Sequence, residues 1–491
     1  MPDEHHAREA RSGLPAWTRA DLPAPPAPVG LQWIGVVGPG VIVLGLSIGS
    51  GEFLLGPAVF VRYGLTLLWV TVAAIFLQTI FNTELMRYTV ATGEPVFTGF
   101  MRTRPSSTFW AVGYSALYVL QAGWPAWAAT AAGAIFFLIF RRLATPADAT
   151  AVYLIGVATY AVCILLLLVG RRIERTLEVL NWALLIPILG SFLALSIIYV
   201  PGAIWTAAAA GLIGFDPARG SFDWLPAGVD PVLLASLVAY AGAGGLANVT
   251  LSNWARDRGY GMGERIGYIP AAVGGHRVPL AHSGFIFTPD PANMQRWRGW
   301  WRVVRADQWG VFFTGGLLGM VLPAMLYVTF LERGTDIRGL AIAAELAFGV
   351  GARAGARLAG VIALLGAWML FKTQLDQMEA LIRGLTDMLW TASDGVRTWA
   401  RGDVRKVYYT VLAAIVVWGL IALRLVQPIA LLLIGANVAG VAFVITSLHL
   451  LYINTTLLPV PLRPPGWRRA VLVAMALFYA TFSWLSIRSL L

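Results

Sequence analysis

The stretch "GLSIGSGEF", residues 45–53, decides how this chain is read. It sits in the middle of an apolar run from Val36 to Val61 that is long enough to cross a bilayer. Gly49, Ser50 and Gly51 interrupt that run, and a carboxylate, Glu52, follows at once. Glycine weakens a helix interior. An ionisable group at bilayer depth costs several kcal/mol, so such groups persist there chiefly where they bind or carry something. The pattern predicts a membrane helix broken at its midpoint, with Glu52 beside the break.

The rest of the chain supports a membrane setting. Of 491 residues, 58% are hydrophobic and only 12% charged, with a mean hydropathy of +0.71. A soluble domain carries about twice that charge fraction. Eleven segments reach the ~20 apolar residues that a crossing helix needs: 36–61, 65–92, 109–140, 149–169, 177–200, 232–254, 309–331, 358–389, 407–425, 429–453 and 470–490. None alternates as a barrel strand would, so the predicted fold class is an all-α polytopic membrane protein.

The net charge of +11 is no sign of nucleic-acid binding, because the basic residues follow the loops. With the N-terminus inside, the inside loops hold Arg102, Arg104, Arg171, Arg172, Arg175, the Arg-rich stretch 256–305, Arg397, Arg401, Arg405, Lys406, Arg463, Arg468 and Arg469. The outside loops hold fewer. The exception is the seventh, where Arg333, Arg338, Arg353 and Arg357 are partly balanced by Glu332, Asp336 and Glu345. This asymmetry predicts a multi-pass protein of the cell inner (plasma) membrane, N-terminus cytoplasmic and C-terminus outside. The Pro-rich segment 1–33 lacks a signal-peptide core and is predicted to be a disordered cytoplasmic tail. The single cysteine, Cys163, lies within the fourth span and reads as a packing residue.

A second interruption, "AGAGGLAN" at residues 241–248, falls in the sixth span. Glycine-interrupted helices at corresponding positions of two halves point to a transporter binding site. The predicted organisation is therefore a first five-helix repeat at 34–200, an external loop at 201–229, a second repeat at 230–453 and an eleventh helix at 454–491. Five helices per half force the halves to be inverted relative to each other. The second repeat includes a long cytoplasmic loop, 255–308. Its segment "RWRGWWRVVR", 296–305, suits a helix lying on the anionic leaflet, with membrane lipids as partners.

Several residues carry candidate chemistry. Glu52 follows the break, where a helix N-terminus favours an anion. It reads as a cation ligand, a proton carrier, or a cap for exposed amides. Gly49, Ser50, Gly51, Gly244 and Gly245 free backbone groups at the two breaks. Asn248 and Asn437 offer neutral oxygens. In "FKTQLDQMEALIRG", 371–384, Lys372, Asp376, Glu379 and Arg383 share one helical face. Lys372 is one of two lysines in the chain. Its pairing with Asp376 reads equally as a proton relay or a fixed ion pair, while Arg383 reads as an anchor reaching the inner interface. Glu84 and Arg87, three apart, read as a structural pair, and His449 as a hydrogen-bonded bundle residue. The G-x-S-x-G match at 45–49 and the glycine-rich match at 242–247 lie in membrane helices, without the strand–turn–helix context their chemistry needs. No enzyme activity and no cofactor are predicted. No oligomeric state is fixed, and a monomer satisfies the pattern.

"VVGPGVIVLGLSIGSGEF", 36–53, followed by "RYGLTLLWV", 62–70, resembles the first two helices of Nramp-type divalent-metal transporters. Gly38-Pro39, Arg62-Tyr63-Gly64 and Leu67-Leu68-Trp69 match without a gap. The resemblance implies a LeuT-type inverted repeat of the amino acid–polyamine–organocation superfamily, with helices 1 and 6 broken and one helix added. It also marks departures. Gly49-Ser50-Gly51-Glu52 stands where the family has Asp-Pro-Gly-Asn, Leu246-Ala247-Asn248 where it has Met-Pro-His, and Asn437 where it has Gln. The soft sulfur ligand is gone, and the oxygens that remain suit hard cations. In related carriers helices 1 and 8 hold a sodium ion, and Lys372 or its neighbours would supply positive charge near that place. The resulting expectation is a secondary active transporter of a divalent cation, with proton coupling through Glu84, Lys372, Asp376 or Glu379. The metal ligands would be Glu52, Asn248 and Asn437. The alternatives are a carrier of a small organic solute, such as an amine or amino acid, and a non-transporting membrane sensor.

Overall fold

A computed structural model describes residues 12–49, 51–169, 172–273, 275, 278–335, 343–425 and 428–491. Among them, eleven helical stretches are long and apolar enough to cross a membrane. Spans 1–6 are Pro39–Tyr63, Leu65–Thr92, Ser107–Phe140, Pro146–Leu168, Ile173–Tyr199 and Pro231–Val249. Spans 7–11 are Pro291–Phe330, Ala356–Ala392, Val404–Arg424, Ile429–Thr456 and Gly466–Leu490. Their starts are set by caps as much as by hydropathy. Ser106 accepts from the Phe109 amide at 3.2 Å, and Asp230 accepts from Val232 and Leu233 at 2.9 and 3.1 Å, satisfying donors that a helix N-terminus leaves free.

Burial sorts the bundle. The apolar window of span 1 is wholly enclosed, whereas only 22–33% of the windows of spans 4, 5, 9 and 11 is covered. Span 1 is thus the axis, and the other four form an apolar outer rim. The first half of span 1 packs on spans 5, 7 and 8, its second half on span 7, and span 6 on spans 10 and 11.

Two spans are discontinuous. Span 1 is helical over Pro39–Ser47, resumes as a wide π-helical turn at Gly51–Leu55, and continues as Gly56–Tyr63. Ser50 lies outside the described residues. Span 6 is helical over Pro231–Tyr240, opens at 241–244, and resumes at Gly245–Val249 and Leu251–Asp257. Gly244 has φ +90°, and a side chain there would meet the Tyr240 ring, so this corner requires glycine.

Two expectations are corrected. The segment read as a disordered tail is ordered from residue 12 onward; residues 1–11 lie outside the described residues. Thr18–Arg19 pairs in parallel with Phe285–Ile286. Arg102 donates to the Pro15 carbonyl at 2.9 Å, Arg296 to Leu22 at 2.8 Å, and the Trp300 indole to Pro23 at 2.9 Å. A Pro-rich chain cannot bury enough of its own surface to fold alone; here fixed donors on neighbouring elements hold its carbonyls. The segment read as an interfacial helix, 296–305, is helical, with its tryptophan face packed on protein and Arg298, Arg302 and Arg305 exposed. Pro291–Arg305 is capped by Asp290 and runs into span 7 through a wide turn at Ala306–Phe313. Trp297 and Trp300 are buried, and Trp301 lies under Arg87 and Arg468 at 4.4 and 5.0 Å. An aromatic–basic pattern serves such cation–π packing as well as a lipid surface, so sequence alone does not show that the aromatic face is turned to protein.

Glu94, between spans 2 and 3, fastens this face. It accepts from the Tyr88 hydroxyl and Arg102 Nε at 2.8 Å each, and from the Gly284 amide at 2.7 Å. Burial raises its pKa, but the Arg102 guanidinium and these donors outweigh burial and hold it below the usual carboxylate range. A depressed carboxylate contributes stability above its unfolded pKa, about 4.3, and that stability is lost as the pH falls. Hydrogen exchange should therefore show residues 12–23 losing amide protection on acidification below about pH 4. Glu94→Gln should show the same loss at neutral pH; full protection in that variant would disprove the link.

Candidate functional site

A helix that stops inside a membrane leaves carbonyls unpaired and a partial negative charge at its end. In span 1 those carbonyls belong to Gly45 and Ile48, and span 8 meets them. Thr373 Oγ1 donates to Ile48 O at 2.9 Å and to Gly45 O at 3.3 Å. Lys372 Nζ donates to Gly45 O, to Asn181 Oδ1 at 3.2 Å and to Asp376 Oδ2 at 3.4 Å. Asn181 of span 5 closes the ring by donating to Asp376 Oδ1 at 3.1 Å. All four side chains are fully buried. A fixed cation thus sits at the negative end of the half-helix, with its counter-charge one turn away.

Glu52 occupies the first turn on the other side of the break. It is fully buried, and neither carboxylate oxygen has a hydrogen-bond partner among the described residues. The backbone amides of Gly49 and of Glu52 itself nevertheless face its carboxylate, which keeps the capping role considered for it open. Its Cγ faces Gly319 of span 7, where an added Cβ would lie 3.6 Å away and 2.9 Å from Ile48; glycine leaves that room. A side chain on Gly51 would overlap the Tyr240 carbonyl, so the two breaks touch backbone to backbone. A buried, ionised, unpaired carboxylate is among the costliest groups a fold can hold. Glu52 therefore calls for a proton or a bound cation.

The second break is splinted by Gln121 of span 3, which accepts from the Leu246 amide and donates to Gly244 O, both at 2.9 Å. Gln377 donates to Ala243 O at 3.4 Å. Asn248 donates to Asn82 Oδ1 at 3.0 Å. Gln78, one turn before Asn82 on span 2, faces Gly242. After these bonds, Gln78 Oε1, Gln377 Oε1 and Asn248 Oδ1 remain buried without partners, as does the Asn82 amide nitrogen. The Glu52 carboxylate at the first break and these amide oxygens at the second are all hard donors. No group of three or more His, Cys, Asp or Glu able to hold a metal occurs among the described residues.

Other expected residues lie elsewhere. The Asn437 amide donates to Ser236 at 2.8 Å, and its oxygen accepts from Ser486 at 2.6 Å, so it ties spans 6, 10 and 11 instead of presenting a free oxygen. Glu84 is held by Arg87 at 2.7 Å and Arg468 at 2.8 Å. Glu379 accepts from the Trp254 indole at 2.7 Å and pairs with Arg383 at 2.5 Å. Arg383, expected to reach the interface, is fully buried and also pairs with Asp257; four residues below Glu379, it finds its partners inside the protein. His449 bonds Thr103 and Tyr114 at 2.9 and 2.8 Å. Sequence reasoning missed Gln78, Gln121, Asn181 and Thr373. Gln121 and Asn181 are isolated polar residues in apolar spans, while Gln78 and Thr373 stand beside other polar residues, which hides them.

Removing Lys372 alone would strand Asp376 and the Gly45 carbonyl. Lys372→Met should cost about 3–5 kcal/mol, and Lys372→Met with Asp376→Leu should cost less than the sum of the two single changes by about 1 kcal/mol or more. Unfolding midpoints in detergent measure this; strict additivity would refute the coupling.

No protein-family model matches the chain, and no curated protein does. Solved structures do. A point-mutant crystal structure of the Eremococcus coleocola manganese transporter aligns with a TM-score of 0.64 at 16% identity, covering 94% of this chain and 89% of that one. The same transporter in complex with an aromatic bis-isothiourea substituted compound aligns with a TM-score of 0.65 at 16% identity, covering 96% and 91%. The chain shares that fold along almost its whole length, in agreement with the architecture expected from residues 36–70.

Proposed function

We propose that this chain, built on the fold of a manganese transporter, is a secondary active transporter that carries a divalent metal cation by alternating access around the two helix breaks. The observation that carries this reading is the fully buried Glu52 carboxyl in the first turn after the break of span 1, with no side-chain hydrogen bond or ion pair among the described residues. Formal charges support it. Glu52 and Asp376 against Lys372 leave one net negative charge for an incoming cation. The donor atoms are oxygens, which suit Mn²⁺, Mg²⁺ or Ca²⁺ better than metals that prefer sulfur.

In this reading the spans form two inverted five-helix repeats, each opening with a broken helix, followed by span 11. The distribution of basic residues among the loops supports a cytoplasmic N-terminus, with the inner membrane as the setting of this reading. Glu52 exchanges a proton for the cation, which supplies the coupling. Asp376, bonded to Lys372 and Asn181, is the nearest further acid for proton passage. Glu84 and Glu379, each already ion-paired, serve the frame of the bundle.

The test is cation flux into proteoliposomes with Mn²⁺, Mg²⁺, Ca²⁺ and Zn²⁺ in parallel, with and without a pH gradient. Wild type should show saturable flux of a hard cation. Glu52→Gln, which keeps the shape and removes the charge, should lower it about tenfold or more, the scale of one lost charged contact. Absence of flux for every ion from folded protein would overturn the metal reading in favour of an organic solute.

A further inference from the structure

The outer rim carries a feature that transport does not use. Span 5 is the least covered of the eleven, with 22% of its apolar window buried. Val179, Ile186, Leu193 and Ile197 are exposed on it, and their spacing puts them on one face. At the end of the bundle that holds the N-terminal segment, this stripe runs into a groove of about 650 Å³. Arg172, Arg175 and Arg258 line it together with Thr176, Val179 and Leu180, and no carboxylate does. An adjoining groove of about 650 Å³ shares Arg175 and Val179 and adds Leu31, Ile34 and Trp182. Leu31 is 85% exposed.

The three arginines are held in place at the groove. Arg172 stacks on the Tyr268 ring at 3.9 Å. Arg175 and Arg258 share one carboxylate, Glu178, at 2.7 and 3.2 Å. Glu178 is the acid paired with them among the described residues; Glu174 near Arg172 and Asp307 near Arg258 lie behind, inside the protein, so the guanidiniums present N–H donors at the mouth of an apolar track.

We propose that this groove binds one anionic phospholipid. Its phosphate lies on Arg172, Arg175 and Arg258, one acyl chain follows Val179 and Ile186 toward the bilayer midplane, and the other lies beside Leu31 and Ile34. Basic pockets between spans at a membrane surface take anionic head groups, and the apolar track selects a lipid over a soluble phosphate. Arg258 also donates to the Gly35 carbonyl, just before span 1. The bound lipid therefore sits against the segment that leads into the first half of the broken helix.

The test is native mass spectrometry of the full-length chain, titrated with phosphatidylglycerol or phosphatidylcholine, with glycerol phosphate as a soluble competitor. One phosphatidylglycerol should be retained in preference to phosphatidylcholine, and glycerol phosphate should not displace it. Arg175→Gln and Arg172→Gln should each weaken retention about fivefold, the effect of one basic residue at an anionic surface. Arg298→Gln, an exposed arginine outside the groove, should leave retention unchanged. Equal retention of both lipids by wild type, a measurement that needs no variant, would overturn the proposal. So would displacement by glycerol phosphate, or an equal loss in Arg298→Gln.

Discussion

The structure turns on one constraint: a helix interrupted in hydrocarbon must have its freed backbone groups met by protein. Both breaks obey it, by different means. The carbonyls of Gly45 and Ile48 are met by a charged amine and a hydroxyl from span 8. The corner of span 6 is met by a neutral amide, Gln121, which donates and accepts at once. Because Gly51 lies on the Tyr240 carbonyl, neither break can shift without the other. The enclosure of span 1 and the ring formed by Lys372, Asp376 and Asn181 follow from serving these groups.

The acids of the interior divide by whether they are paired. Glu84, Glu379 and Asp376 each have basic partners within 3.5 Å, and Glu94 has Arg102. Glu52 has no ion-pair partner among the described residues, and the buried Glu174 and Asp307 share that lack; Asp307 is met instead by the Gly40 amide and the Gln308 side chain. Glu52 is set apart by its place in the first turn after the break of span 1. That position gives Glu52 its weight more than its mere presence in a span.

Much of the fold was legible in the sequence because membrane helices announce themselves by length and hydropathy. The eleven spans, the two breaks and the burial of Glu52 followed from residues 36–61, 241–248 and their neighbours. What could not be read was partner choice. Arg383 reads as a surface anchor until Asp257 and Glu379 are seen beside it. The tryptophans of segment 296–305 read as lipid-facing until the proline-rich chain is laid across them. Asn437 reads as a ligand until Ser236 and Ser486 occupy both ends of its amide. In each case the residue type was informative, but the contact is long-range, and its sequence separation hides it.

Lys372 has one more consequence. A free ion lodged at the end of a half-helix comes and goes with the composition of the medium, so its occupancy is a variable that concentration gradients can act on. An ammonium tethered to span 8 through its own backbone is present at unit stoichiometry whatever the medium contains. At this end of span 1 the chain has exchanged a replaceable electrolyte for a covalent one, and the local field there is written into the sequence instead of being set by the surrounding salt.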